Sequence, residues 1–374
     1  MNNLFTVEES MHKSMVNIKV IGVGGGGSNM VDNMVREGLK GIDVIAANTD
    51  AQHLALSLAG KKLQLGEKLT RGLGAGMKPD VGKEAAEESY EEIREALKGA
   101  NIVFVVAGLG GGTGTGASSV VARAAKENES LTIAVCTMPF LVEMRKRTKL
   151  AQIGFEALKQ ECDSVVLIHN EKLLSVIGKD LGIAQSFLMV DSVLTRAVRG
   201  ISSIVLPTGL SGIKTDFNDL KTVMEHKGTA LMGMGHAKGA DAAYNALKEA
   251  IESPLVENLS MKGSLGVLIN FQIHSSYSLI LINRAMQQIE EDADDEADVI
   301  FGTSVDDSLE PDEAHVTIIA TGFERQAVNT VPTPAEVQSI KQQPIVRPLR
   351  AANGGFFGAD VDFEVPTFVR QQLD

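Results

Sequence analysis

Tryptophan is absent from the 374 residues, tyrosine occurs three times and cysteine twice. The cores must therefore be mostly aliphatic, and a disulfide framework is excluded as the basis of the fold. Cys136 and Cys162 both lie in apolar, strand-like runs, which fits a reducing compartment. Basic residues are also in short supply: 35 Lys and Arg against 48 Asp and Glu leave a formal charge of −13. A surface of that sign repels nucleic acid and anionic lipid, so no nucleic-acid partner is expected. No uninterrupted apolar run reaches the ~18 residues of a membrane span, so direct membrane insertion is not expected. The opening MNNLFTVEESMHKSM lacks the basic start and apolar stretch of a signal peptide. Glycine, by contrast, is plentiful at 37 residues, and its densest runs form two clusters.

The length predicts two domains with tails, and the 44% apolar content is that of a globular protein. After a flexible N-terminal tail (1–15), strand and helix patterns alternate over 16–182. IKVIGV (18–23), DVIAANTD (43–50), NIVFVVAG (101–108), LTIAVCTMPF and SVVLIHN read as strands. Helical stretches lie between them, from Asn29, through EAAEESYEEIREALKGA and through ASSVVARAAKEN. That alternation predicts an α/β fold with a parallel sheet covered on both faces.

One long helix is expected over 183–202. Ile183, Phe187, Val190, Leu194, Val198 and Ile201 form its apolar stripe, and Leu188, Met189 and Val193 make other faces apolar too. Such a helix suits a position wedged between two domains. A smaller α+β domain is expected over 203–323, opening with a strand at SSIVLP. Beyond it, five of the ten prolines lie in the last 51 residues. Residues 324–359 read as a disordered linker, and 360–374 as a short apolar docking peptide.

GVGGGGSN follows a strand and opens a helix. Gly22, Gly24 and Gly27 satisfy G-x-G-x-x-G, with Asp50 near the end of the next strand, which is the dinucleotide-binding layout. On this loop alone a nicotinamide-dependent oxidoreductase stands level with other nucleotide binders. The absence of a G-K-[ST] ending excludes a P-loop NTPase. The second cluster, GLGGGTGTG (108–116), separates the readings. It again joins a buried strand to a helix, and its six glycines in nine residues exceed what a tight turn requires. Gly110 to Gly116 can turn several N–H groups toward one anion, with Thr113 and Thr115 adding hydroxyls.

GGGTGTG after GGGGSN resembles the tubulin/FtsZ superfamily. NTD (48–50), GLGAG (72–76), TMPF (137–140), HNEKLL (169–174) and ALMGMG (230–235) extend the resemblance over 16–323, and it returns in the last dozen residues. It implies a GTP-binding domain over 16–182, a central interdomain helix, and a cytoplasmic GTPase that binds GTP/GDP with magnesium. Such a protein forms a head-to-tail homopolymer at a mid-cell division ring under the inner membrane. Gly25, Gly26, Gly27, Ser28 and Asn29 are implied to line the phosphate and base side. Gly110, Gly111, Gly112, Thr113 and Gly114 are implied to hold the β- and γ-phosphates, and Glu143 and Arg147 to lie near the ribose. Asn170 is implied to belong to the pocket, with Asn48 and Asp50 shaping its phosphate and magnesium side.

Phe187 is implied to stack on guanine while Asp191 accepts from N1–H and the 2-amino group. That pair also follows from spacing: residues four apart share a helical face, and an Asp in an apolar helix needs a partner. The alternatives are ion pairs of Asp191 with Arg196 or Arg199, and of Glu143 with Arg147 at i,i+4.

Catalysis is implied to come from a neighbouring subunit, through a family pattern N-x-D-F-x-x-D that KTDFNDL (214–220) matches with Asp216 and Asp219. These acids sit in an activation loop over 207–219. A second reading of the same residues is a helix N-cap. Two departures are visible. Lys214 stands where the pattern has Asn, in a stretch longer than the family's, and Met144 stands where the family has Gly. Loss of one positioned polar group costs on the order of 10²–10³ in rate. The departures therefore leave open a filament scaffold that binds GTP and hydrolyses it poorly. At the end of the chain, Val365, Pro366, Phe368, Val369 and Arg370 resemble the family's peptide for membrane-tethering and regulatory division proteins.

Overall fold

Val, Ile and Ala runs that are buried on both faces place the centre of the molecule between two layers of helices. The computed structural model describes residues 16–39, 41–176, 182–206, 216–226, 228–253, 263–292 and 297–323, all within one unit. The N-terminal tail, Lys214 with the rest of 207–215, the linker and the C-terminal peptide lie outside the described residues.

Chain order begins β1 (Ile18–Val23), α1 (Gly24–Arg36), β2 (Ile42–Asn48), α2 (Ala51–Leu56), β3 (Lys61–Gln64) and α3 (Glu67–Thr70). Next come α4 (Pro79–Glu88) and α5 (Tyr90–Leu97), separated at Ser89, where the sequence predicts one unbroken helix. The break has a cause distant in sequence: Ser89 Oγ accepts from Gly66 N at 3.1 Å and so serves the turn after β3. Then follow β4 (Ile102–Gly108), α6 (Thr113–Glu127), β5 (Leu131–Met138), α7 (Arg145–Glu161), β6 (Ser164–His169) and α8 (Asn170–Val176). The six strands are parallel in the order β3-β2-β1-β4-β5-β6. Every residue of β5 is buried, as are the first six of β4.

The remainder comprises α9 (Ile183–Val205), α10 (Phe217–Met224), β7 (Thr229–Lys238), α11 (Ala242–Ile251), β8 (Gly266–Ile273), α12 (Leu279–Asp292), β9 (Asp298–Val305) and β10 (Glu313–Thr321). The sheet continues β6-β7-β10-β8-β9, and β10 is antiparallel to both neighbours. β6 meets β7 through Val165↔Thr229 and Val166↔Ala230, the narrow join between the parallel and mixed parts. One core fills a face of the parallel part and runs on beneath α9 to β8 and β10; a second fills the opposite face, and a third lies under α11 and α12.

One reading of the second half needs correction, and one strand went unpredicted. Residues 202–205 of the strand expected at SSIVLP are instead the last turn of α9, which ends at Val205. Ile201 and Ile204 are fully buried at helical spacing, and Ser203 Oγ hydrogen-bonds Asn270 Oδ1 at 3.1 Å, so packing overrides local strand preference. Conversely, the glycine-bearing ALMGMG is the core of β7. A Cβ at Gly235 would come within 1.9 Å of Ala246 O, so this glycine lets α11 lie against the strand.

Candidate functional site

At the C-terminal edge of the parallel strands, β1 leads directly into α1 and β4 into α6 through the glycine loop. Neither helix has a side-chain N-cap, and neither carries an acid in its first turn. Elsewhere the chain does cap helices: Asp50 accepts from Gln52 N and His53 N, and Asp216 accepts from Asn218 N. Two uncapped N-termini, each with free N–H groups and a positive dipole end, converge on one place. They are adjacent in fact, because a Cβ at Gly24 (φ +74°) would lie 2.6 Å from Gly114 N.

The space they face is a cleft of about 390 Å³. Gly25, Gly26 and Asn29 line it from α1, and Gly111, Gly112, Thr113 and Gly114 from the second loop. Glu143 and Arg147 line it from the turn into α7, Asn170 from the start of α8, and Phe187 and Asp191 from α9. Phe187 is held edge-on by Phe140, with centroids 5.3 Å apart. Glu143 and Arg147 do form the i,i+4 ion pair, and Glu143 Oε1 also accepts from Phe140 N at 3.0 Å.

Asp191 is not paired with Arg196 or Arg199. Arg199 bridges to Glu37 at 3.2 Å. Among the described residues no donor reaches the Asp191 carboxylate, and burial pushes its pKa up to about 7, with Arg36 offsetting part of the rise. Asn170 Oδ1 is likewise buried without a hydrogen-bond partner. Both are the groups that a bound polar ligand would satisfy.

Other residues singled out from the sequence sit elsewhere. Gly27 packs on the sheet, where a Cβ would meet Val106 O at 2.5 Å. Ser28 is fully buried behind the cleft, its hydroxyl unpartnered among the described residues. Gly110 (φ +100°) gives its N–H to Thr115 Oγ1 at 2.8 Å. Asn48 and Asp50 stand behind the lining. Asn48 Nδ2 lies 3.3 Å from His53 Nδ1, and His53 Nε2 lies 3.0 Å from Asn29 Oδ1, a relay into the cleft. Asp216 and Asp219, both exposed at the start of α10, do not line it.

His53, Thr137, Pro139 and the supporting Phe140 were missed by sequence reasoning. The last three lie within TMPF, a segment noted above without a role. His53 carries no local signal, since its place depends on a contact with Asn29, 24 residues away.

Two strand-to-helix loops with bare helix N-termini, a flanking aromatic ring and an unpartnered carboxylate define a nucleotide-binding site. The model of the tubulin/FtsZ family GTPase domain matches residues 17–178, and that of the FtsZ family C-terminal domain matches 228–324. Among solved structures, the empty FtsZ dimer from M. jannaschii is 38% identical with a TM-score of 0.78, over 83% of this chain and 89% of that one. CetZ2 from Haloferax volcanii, a GTPγS-bound protofilament, is similar in fold at 20% identity and a TM-score of 0.69, over 83% of this chain and 94% of that one. The chain belongs to the tubulin/FtsZ family of GTPases, and its second match places it with the FtsZ cell-division proteins.

Proposed function

We propose that the chain binds GTP and GDP in this cleft and assembles head-to-tail into filaments that hydrolyse GTP at subunit contacts during cell division. The observation that carries the reading is the pairing of two bare helix N-termini with the unpartnered Asp191 in one cleft. The first binds phosphates, and the second accepts the two adjacent donors of guanine, which adenine lacks. Phe187, held by Phe140, offers its face to the base. Magnesium supplies charge neutralisation when bound, and it would be held chiefly by the phosphates and water, as is usual for this ion.

Hydrolysis needs an acid to position water, and the cleft has no free one suited to it: Glu143 is committed to Arg147, and Asp191 to the base. Asp216 and Asp219 are exposed and, among the described residues, form no ion pair. Supplied by the next subunit, they would complete the site in trans, as an activating protein does for other GTPases. Assembly is supported by exposed Leu141, Val142 and Met144 beside Glu143, by Met77 near Gly112, and by exposed Leu73. An apolar rim of this kind is typical of a protein contact. Recruitment to the inner membrane at mid-cell falls to the peptide Val365, Pro366, Phe368, Val369 and Arg370, through tethering proteins.

The test is phosphate release from GTP with magnesium over a range of protein concentrations, with light scattering in parallel. Release per molecule should be negligible at low concentration and climb as scattering appears. Scattering without release would select the poorly hydrolysing scaffold, in line with Lys214. Release that is independent of concentration would defeat the shared site.

A further inference from the structure

The register of β7 on β10 sets His236 directly across from His315, and Lys238 across from Glu313. Alternation along the strands puts all four side chains on one face. The two imidazoles stand edge to face with centroids 5.0 Å apart. Glu313 Oε1 lies 3.0 Å from His315 Nε2 and 3.9 Å from His236 Nε2. One ligand atom from each of the three falls within 4.8 Å of the others. On a tetrahedral zinc ion with bonds near 2.0 Å, neighbouring ligand atoms are roughly 3.3 Å apart. Side-chain rotation on fixed strands closes that difference.

The surroundings favour a cation. Glu313 Oε2 is steadied by Lys238 at 3.3 Å, which leaves Oε1 to face the imidazoles. Glu310 lies 3.1 Å from Lys238, and Glu249 accepts from the backbone N–H of His236 at 3.0 Å. Three carboxylates thus stand against two cations, Lys238 and Arg196, the latter lining the groove beside both histidines. Both histidines also line an open groove of about 350 Å³ against α9, with room for entry and for a bound water.

We propose that His236, Glu313 and His315 form a binding site for a divalent d-block cation, zinc in the first instance, with water completing the coordination. Two imidazoles and a carboxylate are borderline donors that suit zinc, whereas magnesium takes oxygen ligands almost alone. The site is therefore chemically distinct from the nucleotide's magnesium. A bound ion would tie β7 to β10 and stabilise the mixed part of the sheet.

The test uses the full untagged chain, free of nucleotide and stripped with chelator, titrated with zinc chloride by calorimetry and with cobalt(II) by visible absorption. Expected are one equivalent of zinc that millimolar magnesium does not displace, cobalt bands of tetrahedral intensity, and a rise in Tm on adding zinc. His236→Asn and His315→Asn should each weaken zinc binding by more than about 100-fold, beyond what loss of an outer-shell partner alone produces. His226→Asn, on a histidine that pairs with Asp298, should leave it unchanged. Circular dichroism and GTP affinity confirm that each variant folds; if either histidine variant fails to fold, Glu313→Gln takes its place with the same expectation. Absence of zinc uptake by the wild-type chain at micromolar concentration, displacement by magnesium, or unchanged affinity in folded variants overturns the proposal.

Discussion

At the residue scale, the role proposed for Asp191 as acceptor of the base brings a pH dependence with it. Burial raises its carboxyl from 3.8 to about 7, so near neutrality the empty protein holds a proton there that an unfolded chain would have released. Between those values the folded state binds more protons, and the unliganded fold loses stability as pH rises through about 7. Guanine reverses the preference, since its two donors need the ionised form. GTP affinity should therefore be highest above pH 7 and fall as pH drops below it, by up to about tenfold per unit. Calorimetric titration across pH 5.5–8.5, roughly the window in which this group changes charge, measures it; Asp191→Asn should flatten the profile. The same variant gives up charge-assisted hydrogen bonds worth about 1.5–3 kcal/mol each, so GTP should bind about 100-fold more weakly or worse. Xanthosine triphosphate should gain, because the Asn amide can donate to the carbonyl that replaces the 2-amino group.

That Phe187 and Asp191 share one face was legible from four-residue spacing on an otherwise apolar helix, and both line the cleft. Gly27 and Ser28 were not separable from Gly25, Gly26 and Asn29 by sequence, because one turn of a helix sends some residues to the cleft and those between them to the sheet. Glycine richness was read as a phosphate cradle, yet several of these glycines serve close backbone contact: a Cβ at Gly116 would meet Pro79 O at 1.9 Å. Of the second loop, Gly111 is the one whose added Cβ meets nothing within 4 Å.

At the element scale, two termini test how local geometry serves the site. Met144 precedes α7 with φ 78° and ψ 150°, a conformation that a side chain disfavours. Such residues cost of order 1–3 kcal/mol. Met144→Gly should therefore hold or raise Tm, against the loss expected of a glycine introduced at an ordinary exposed position. A fall in Tm as large as that entropic loss would show the strain to be absent. At α10, Asp216 is both the observed cap and the proposed water-positioning acid, and two substitutions separate the roles. Asn caps as well as Asp, so Asp216→Asn should leave Tm unchanged while GTP turnover fails. Asp216→Ala should fail in turnover and also lose about 1 kcal/mol of stability. If Asp216→Asn turns over GTP normally, the carboxylate is a cap and nothing more.

Element type was legible wherever period and burial agreed, as in β1, β4, β5, α6 and α9. It failed where long-range packing decided the matter. SSIV joined α9 because Ile201 and Ile204 continue its buried stripe, and α4 parted from α5 because Ser89 is engaged by a distant turn. A window of adjacent residues contains neither cause.

At the scale of the whole molecule, the parallel part carries the cleft while α10, which bears Asp216 and Asp219, packs on β8 and β9 of the mixed part. The two halves of the proposed GTPase site would thus be carried on different parts of one chain, and no element of sequence pattern states that they must meet between chains. Complementation decides it. Asp216→Asn chains keep an intact cleft but lack the acid; Asp191→Asn chains keep the acid but hold GTP poorly. Each should hydrolyse little GTP alone. Mixed in equal amounts under conditions where filaments form, an interface that joins an Asp216→Asn cleft to the acids of an Asp191→Asn neighbour is complete. Random assembly makes about a quarter of interfaces of this kind, so phosphate release should recover to a comparable fraction of the wild-type rate. An active site contained within one chain could not be restored by mixing, because neither partner holds both halves, and the mixture would then stay as inactive as its components.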